Sequence, residues 1–470
     1  MLCLCFGGVV VSSPERLLSQ AQSLTDDLIV AVSSPPGRGA IGIVRVSGSP
    51  DAVSSLLHKV VGERVAANLQ PRRLQLVALK SPEDGAVVDR GLVARFPGPN
   101  SYTGQDVVEF HLHGNPVILR LATLALLAGG ARAASPGEFT RRAVTSGRMS
   151  LVQAEAVDAL VRAESEGAVR AAHRHLGGEL ATRVGAWRDR LLEVAAALEA
   201  SVDFPDELHE GEGGWDGADL GLLQADMASL VESYEAGRRL MEGARVVLAG
   251  PVNAGKSTLF NSLLGHGRAI VSDRPGTTRD VVSETLSWGG AALRLEDTAG
   301  LRGAEDPVEI EGIERSEEAT RQADLVVWVM DGRQLLKRAG DDSGNREDRL
   351  PVATHGDLLT SDERAKLEQA GWTVVAAPSG AGLSALRDQL VRAVEGGSLG
   401  SSLLLHTERQ RAALETALSG VSEAIGVGAE EPVLAALGVR AAGRALDELC
   451  GEWTDEGVLD TLFERFCIGK

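Results

Sequence analysis

The stretch RVVLAGPVNAGKSTLFNSLLG, residues 245–265, decides the fold. An apolar, β-branched run leads into Gly250, a short glycine-spaced turn follows, and helix-forming residues take over from Lys256. The spacing G-x-x-x-x-G-K-S between a strand and a helix is that of a phosphate-binding loop. Gly250 and Gly255 let backbone N–H groups curl around phosphates, Lys256 reaches the β and γ oxygens, and Ser257 is suited to Mg²⁺. Asn253, Ala254 and Thr258 complete the contact stretch.

Downstream residues turn a nucleotide-hydrolase reading into a GTPase reading. SDRPGTTRD, 272–280, is placed in a loop after the first helix, with Ser272, Asp273, Arg274, Pro275, Gly276, Thr277 and Thr278 as candidate nucleotide contacts, and Thr278 suits the second side-chain ligand to Mg²⁺. Asp297 of DTAG ends a strand as the acid near the metal, Thr298 and Ala299 follow, and the Gly300 N–H can donate to the γ-phosphate. Guanine is usually chosen by N-K-x-D; this chain has THGD. Asp357 can accept from guanine N1 and N2, while Thr354 stands where asparagine is expected and His355 where lysine is expected. Leu301 occupies the place at which Ras-like GTPases carry their water-orienting glutamine, so another group must do that work. Arg279 and Arg302 are candidate arginine fingers.

The rest of the chain is organised around this α/β segment. Before it, IVAVSSPPGRGAIGIVRVSG reads as strand, loop, strand, and VVEFHLHGNPVILRLATLALLAGG as strand, Gly-Asn-Pro break, helix. From about residue 150, apolar positions recur every three and four residues in Ala-, Leu- and Glu-rich sequence, the pattern of long amphipathic helices. After GGSLGSS, 396–402, helical sequence returns. A final helical segment of this length makes a poor independent core, so the α/β part is read as inserted into a helical domain. The expected divisions are an unexplained extension at 1–26, an α+β domain at 27–147, helical sequence at 148–242, the G domain at 243–396, and helical sequence at 397–470.

Composition sets limits. The 470 residues carry 66 acidic and 47 basic side chains, a net charge of −19, which argues against broad attraction to nucleic acid but not against a local basic patch. Four cysteines, at 3, 5, 450 and 467, suit a reducing, cytoplasmic setting and no disulfide framework. No apolar run is long enough for a membrane helix. The opening MLCLCFGGVVV lacks a preceding basic residue and a cleavage site, and reads as a dispensable extension rather than a targeting segment.

Taken together, PPGRGAIGIVRVSG, YTGQDVVEF, HGNP, SPGEFTRRA, VQAEAVDAL, GPVNAGKSTLFN, DRPGTTRD, DTAGLR, GIERS and FCIGK resemble, in order, the MnmE (TrmE) family of tRNA-modifying GTPases. The resemblance implies a homodimer that works with an MnmG-like (GidA) flavoprotein on tRNA. FAD resides in that partner, and a methylene-tetrahydrofolate or formyl analogue supplies carbon for C5 of the wobble uridine. It implies a folate site at Arg45, Glu109, Arg148 and Lys470, and a reactive tail cysteine at Cys467. It further implies K⁺ held by Asn253 with oxygens of Ser272, Arg274 and Thr277, and a water-orienting carboxylate at Glu309, with Glu311 as its rival. By residue type alone, Glu109 equally suits a solvated strand face and Cys467 a small core position. His111 and His113 share a strand face with no third ligand and read as structural. Two other readings stand beside this one: a GTP-switched assembly or ribosome-maturation factor without one-carbon chemistry, and an ATPase, which Asp357 and TTRD weaken.

Overall fold

The computed structural model describes residues 27–203, 217–265, 283–297, 320–337, 349–395, 403–428, 431–451 and 456–469. These divide into two compact units, one holding the chain up to Ala154 with Cys450 onward, the other Glu155–Leu449.

The first unit is built on β1 (Ile29–Val32), β2 (Ile41–Gly48), α1 (Pro50–Val61), α2 (Glu63–Ala67), β3 (Gln75–Lys80), β4 (Val87–Phe96), β5 (Asp106–His113), α3 (Pro116–Ala128), β6 (Arg132–Ala133) and α4 (Glu138–Thr145). The sheet order is β3-β4-β5-β2-β1-β6, antiparallel throughout except for the parallel β1/β6 pair. Both main helices start where the sequence supplies a cap followed by proline. Ser49 precedes Pro50, and the Asn115 side chain accepts from Val117 N at 2.8 Å just before Pro116. Strand alternation then sorts side chains between the two faces. Val44, Val46, Val108, Phe110 and Leu112 face Val53, Leu56, Leu57 and Leu126 of α1 and α3 in one core. Arg45, Glu109 and His111 are thereby turned to the opposite face.

The second unit begins with helices α5 (Leu151–Arg162, whose first turn belongs to the first unit), α6 (Glu166–Leu176), α7 (Glu179–Asp203), α8 (Gly217–Glu232) and α9 (Tyr234–Glu242). The α/β part follows: β7 (Ala244–Ala249), α10 (Lys256–Gly265), β8 (Ser283–Trp288), β9 (Ala291–Asp297), β10 (Leu325–Asp331), α11 (Gly332–Lys337), β11 (Arg349–Thr354), α12 (Ser361–Gln369), β12 (Thr373–Val374) and α13 (Leu383–Glu395). Helices α14 (Glu408–Val427) and α15 (Pro432–Cys450) close the unit, and α16 (Glu456–Phe463) returns to the first. The sheet order β12-β11-β10-β7-β9-β8 is parallel apart from the β8/β9 edge hairpin.

The helices on either side of the insert are joined by a buried carboxylate. Glu155 of α5 accepts from Arg409 at 2.7 and 2.9 Å and from Gln410 at 2.7 Å, both on α14. With Glu155 buried and both its oxygens bonded, this pair commits α14 to its place beside α5, because removing Arg409 would strand a buried charge. Helices α14 and α15 cross on glycine: a Cβ at Gly420 would lie 2.6 Å from Gly438 O, and one at Gly438 2.7 Å from Gly420 O. The architecture is therefore an α+β domain with a helical domain that a Ras-like α/β domain interrupts.

Candidate nucleotide and tail sites

The phosphate loop sits at the C-terminal edge of the parallel sheet. β7 ends at Ala249, and Leu248 pairs with Asp297, which puts that buried carboxylate level with the entrance to the loop. Gly250 has φ 142°, and a Cβ there would lie 2.1 Å from Val329 O, so the loop can cross β10 only on a glycine. Asn253 is left-handed at φ 61° with its side chain exposed. Lys256 is buried and its Nζ donates to Gly250 O at 2.8 Å and Pro251 O at 2.9 Å, curling the loop around the ammonium. Ser257 and Thr258 are exposed at the start of α10. This cradle fits a phosphate chain: a buried ammonium and a helix N-terminus converge beneath it, both favourable to anions. Ser257 and Asp297, at its edge, have the hard oxygen donors that Mg²⁺ takes, and Asn253 a carbonyl oxygen suited to K⁺.

The base loop follows β11. Thr354 is buried and in register with Asp331 at the end of β10. Its Oγ1 lies 2.7 Å from Ala254 O of the phosphate loop. His355 is left-handed at φ 57°, and Asp357 is exposed in the short 3₁₀ turn Gly356–Leu358 that follows. The hydrogen-bonded Arg333 guanidinium holds the Asp331 carboxyl below its usual range, against the opposing effect of burial. Beyond β12, Ser262 Oγ of α10 donates to Ala377 O at 3.1 Å. Residues 272–278, 298–300, Glu309 and Glu311 lie outside the described residues.

A second cluster forms in the first unit. Arg45 and Glu109 are direct neighbours across β2 and β5. Arg45 Nε and one terminal nitrogen donate to Glu109 Oε1 at 3.0 and 2.9 Å. The guanidinium stands 5.3 Å from the Tyr102 ring centroid and 5.7 Å from that of Phe139, within cation–π range. Burial pushes the Tyr102 phenol up, and its oxygen lies 2.8 Å from Thr140 Oγ1. His111 Nε2 is 3.4 Å from Glu109 Oε2, whereas His113 pairs with Asp89 at 2.9 Å, so the two histidines share no ligand. The tail comes to the same place. Gly469 O accepts from Ser33 Oγ at 2.9 Å and from Arg45 at 3.3 Å. Cys467 is exposed, and its carbonyl accepts from Gly137 N at 3.4 Å. Arg148 stands one loop away, its Nε donating to Ser101 O at 3.3 Å. Lys470 lies outside the described residues. Ser33 and Tyr102 join this cluster with no signal in their sequence spacing, although Tyr102 opens the YTGQD run.

A parallel sheet that delivers a phosphate loop and a buried acid to one edge, beside an aspartate-bearing base loop, defines a P-loop GTPase, here within a multidomain chain. Comparison with known proteins gives the particular family. Residues 28–148 match the family described as GTP-binding protein TrmE N-terminus, and residues 151–467 match the MnmE helical domain. The tRNA modification GTPase MnmE of Methylobacterium radiotolerans is 43% identical over 449 residues, covering 94% of this chain and 99% of that protein. That of Syntrophotalea carbinolica is 38% identical over 95% of this chain and 100% of its own length. The chain belongs to the MnmE family of tRNA modification GTPases. Among solved structures, the G domain of the T. maritima FeoB iron transporter aligns at 25% identity with 32% of this chain and 98% of its own, with a TM-score of 0.24.

Proposed function

We propose that this GTPase hydrolyses GTP in a K⁺-dependent manner and, as a cytoplasmic homodimer with an MnmG-like flavoprotein, drives addition of an aminomethyl or carboxymethylaminomethyl group to C5 of the wobble uridine in certain tRNAs. The observation that carries the one-carbon half is the meeting of Arg45, Glu109 and the Gly469 carbonyl, which draws a tail otherwise remote in sequence onto the first unit's sheet. In this reading Arg45, Glu109, Arg148 and Lys470 hold a tetrahydrofolate, which supplies a one-carbon unit when bound. Glu109 would offer its carboxylate to donors of the folate, Arg45 fixes that carboxylate, and Cys467 is exposed in the tail whose Gly469 carbonyl reaches Arg45. In the nucleotide site Ser257 and Thr278 hold Mg²⁺, and Asn253 with Ser272, Arg274 and Thr277 holds K⁺. Bound there, the two cations would supply positive charge beside the phosphates, where negative charge develops. Glu309 orients the attacking water.

The test is nucleoside analysis of tRNA from a deletion strain complemented with the wild-type chain, Arg45→Ala or Glu109→Gln. Wild type should restore C5-modified wobble uridine and neither variant should. Restoration by both variants would remove the cluster from the chemistry. It would favour a GTP-switched assembly role, for which isolated protein should also fail to bind folate.

A further inference from the structure

Four residues join the base side of the nucleotide site to the phosphate loop. β10 and β11 end in register, with Asp331 opposite Thr354. Thr354 Oγ1 lies 2.7 Å from Ala254 O, 3.1 Å from Met330 O and 3.1 Å from His355 Nδ1. A hydroxyl carries one proton, and carbonyl oxygens only accept. The proton therefore goes to one of the two carbonyls, and Ala254 O is the closer. For its contact with Thr354 to be attractive, His355 Nδ1 must then donate. Asp331 Oδ1, an acceptor, stands 3.6 Å from the same nitrogen, on the side an N–H there would face. Asp331 is itself fixed by Arg333, which donates to it at 2.7 Å.

The backbone holds this arrangement. His355 is left-handed at φ 57°, a conformation that costs a non-glycine residue and persists only where its surroundings impose it. Gly356 N donates to Val375 O at 3.0 Å, anchoring the loop directly after it.

We propose that Thr354 and His355 are a positioning pair. His355, oriented by Asp331, donates to Thr354, whose hydroxyl ties Ala254 of the phosphate loop to the strand ends that carry Asp357. Grip on the phosphates and grip on guanine are then set by one hydrogen-bond chain. This rests on the reading of Asp357 as the base-selecting residue. It also explains how a chain lacking the asparagine and lysine of N-K-x-D keeps its two loops in register.

The experiment uses the full chain and a fluorescent GDP titrated in Mg²⁺. Thr354→Val keeps the shape and removes the hydroxyl, Thr354→Ser keeps the hydroxyl, and His355→Phe keeps a ring without Nδ1. Thr354→Val and His355→Phe should each weaken GDP by about three- to tenfold, the worth of one hydrogen bond. Thr354→Ser should bind near wild type. The double variant should cost no more than Thr354→Val alone, because one chain is broken once. In hydrolysis the loss should fall on KM with kcat nearly unchanged. Wild-type affinity in His355→Phe, or costs that add in the double variant, overturns the proposal. The His355→Phe arm decides alone if Thr354→Val fails to fold. Failure of the wild-type chain to bind GDP would instead sink the guanine-site reading, and the pair with it.

Discussion

Asp357 is exposed at the rim of the sheet, three residues beyond a buried Thr354, and that contrast separates reading from support. Exposure leaves its carboxylate accessible to a base that offers two N–H donors. Asp357→Asn should therefore weaken GTP by about 10–150-fold, the worth of a charge-assisted pair, and improve binding of xanthosine triphosphate, which offers the complementary pattern. Competition binding with the two nucleotides checks this; unchanged affinity for both would reopen the choice of base. A different residue-scale effect sits in the helical part. His175 and His406 are buried with ring centroids 4.6 Å apart, and neither ring nitrogen of His406 has a hydrogen-bond partner among the described residues. Burial, helped by His175 and Arg409, pushes His406 down to about 3, and burial also lowers His175. An unfolded histidine titrates near 6.5, so between about pH 6.5 and 3 the unfolded chain binds the extra proton. Stability contributed by the neutral ring is then complete above about pH 6.5 and falls as pH drops, by roughly 1.4 kcal/mol per unit for one such group. Thermal melting at pH 7.5, 6.5 and 5.5 should show a steeper fall for wild type than for His406→Gln; parallel curves would mean the ring is not held neutral.

At the scale of elements, the phosphate loop was legible because every part of its signal is local. The β-branched run, the two glycines and the helix-forming stretch lie within one window, and backbone geometry needs nothing from elsewhere. The capped start of α3, marked by Asn-Pro, was legible for the same reason, whereas the helix that Ser49-Pro50 opens was not read. β8 was missed: SETLSW is an edge strand with polar residues on one face, and only Leu286 and Trp288 mark its buried side. The Arg45–Glu109 pair could not be read from spacing, because it depends on the register of two strands 64 residues apart. Thr354 shows the same limit: its substitution for asparagine was visible, but its bond to Ala254, 100 residues away, was not. Within the loop, Asn253 is held left-handed and exposed, as a side chain offering oxygen to a cation over the phosphates would be. Hydrolysis should be fast in K⁺ and slow in Na⁺, and Asn253→Ala should lose the difference while still binding GTP. Equal wild-type rates in the two salts would end the cation proposal. Glu309→Ala should lower kcat by about 10²-fold or more with GTP binding intact, the range for a positioned general-base-type group. Full activity there would pass the role to Glu311 or an arginine.

At the scale of the whole molecule, the chain leaves its first unit near Ala154 and re-enters it near Cys450, so the nucleotide residues and the tail belong to different compact units. The tail is fastened in three ways. Phe463 and Phe466 are buried with Leu151 and Ala154, Arg141 pairs with Asp460 at 2.6 Å, and Gly469 O is held by Ser33 and Arg45. Removing residues 467–470 leaves the phenylalanine anchor and the ion pair in place, and takes away only the segment that reaches Arg45. The two units should then respond differently. GTP binding and hydrolysis should survive, because every described nucleotide residue lies within Glu155–Leu449. Modified uridine should disappear from the tRNA of a deletion strain carrying the truncated chain, because Arg45 and Glu109 lose the backbone that closes their cluster and Cys467 goes with it. Cys467→Ser separates those two causes: it keeps the Gly469 contact and removes only the thiol. Loss of modification in both variants assigns chemistry to the sulfur, whereas loss in the truncation alone assigns the tail a closing role. Collapse of GTP turnover on truncation would show that the tail supports the fold of the second unit and would defeat the division of labour argued here.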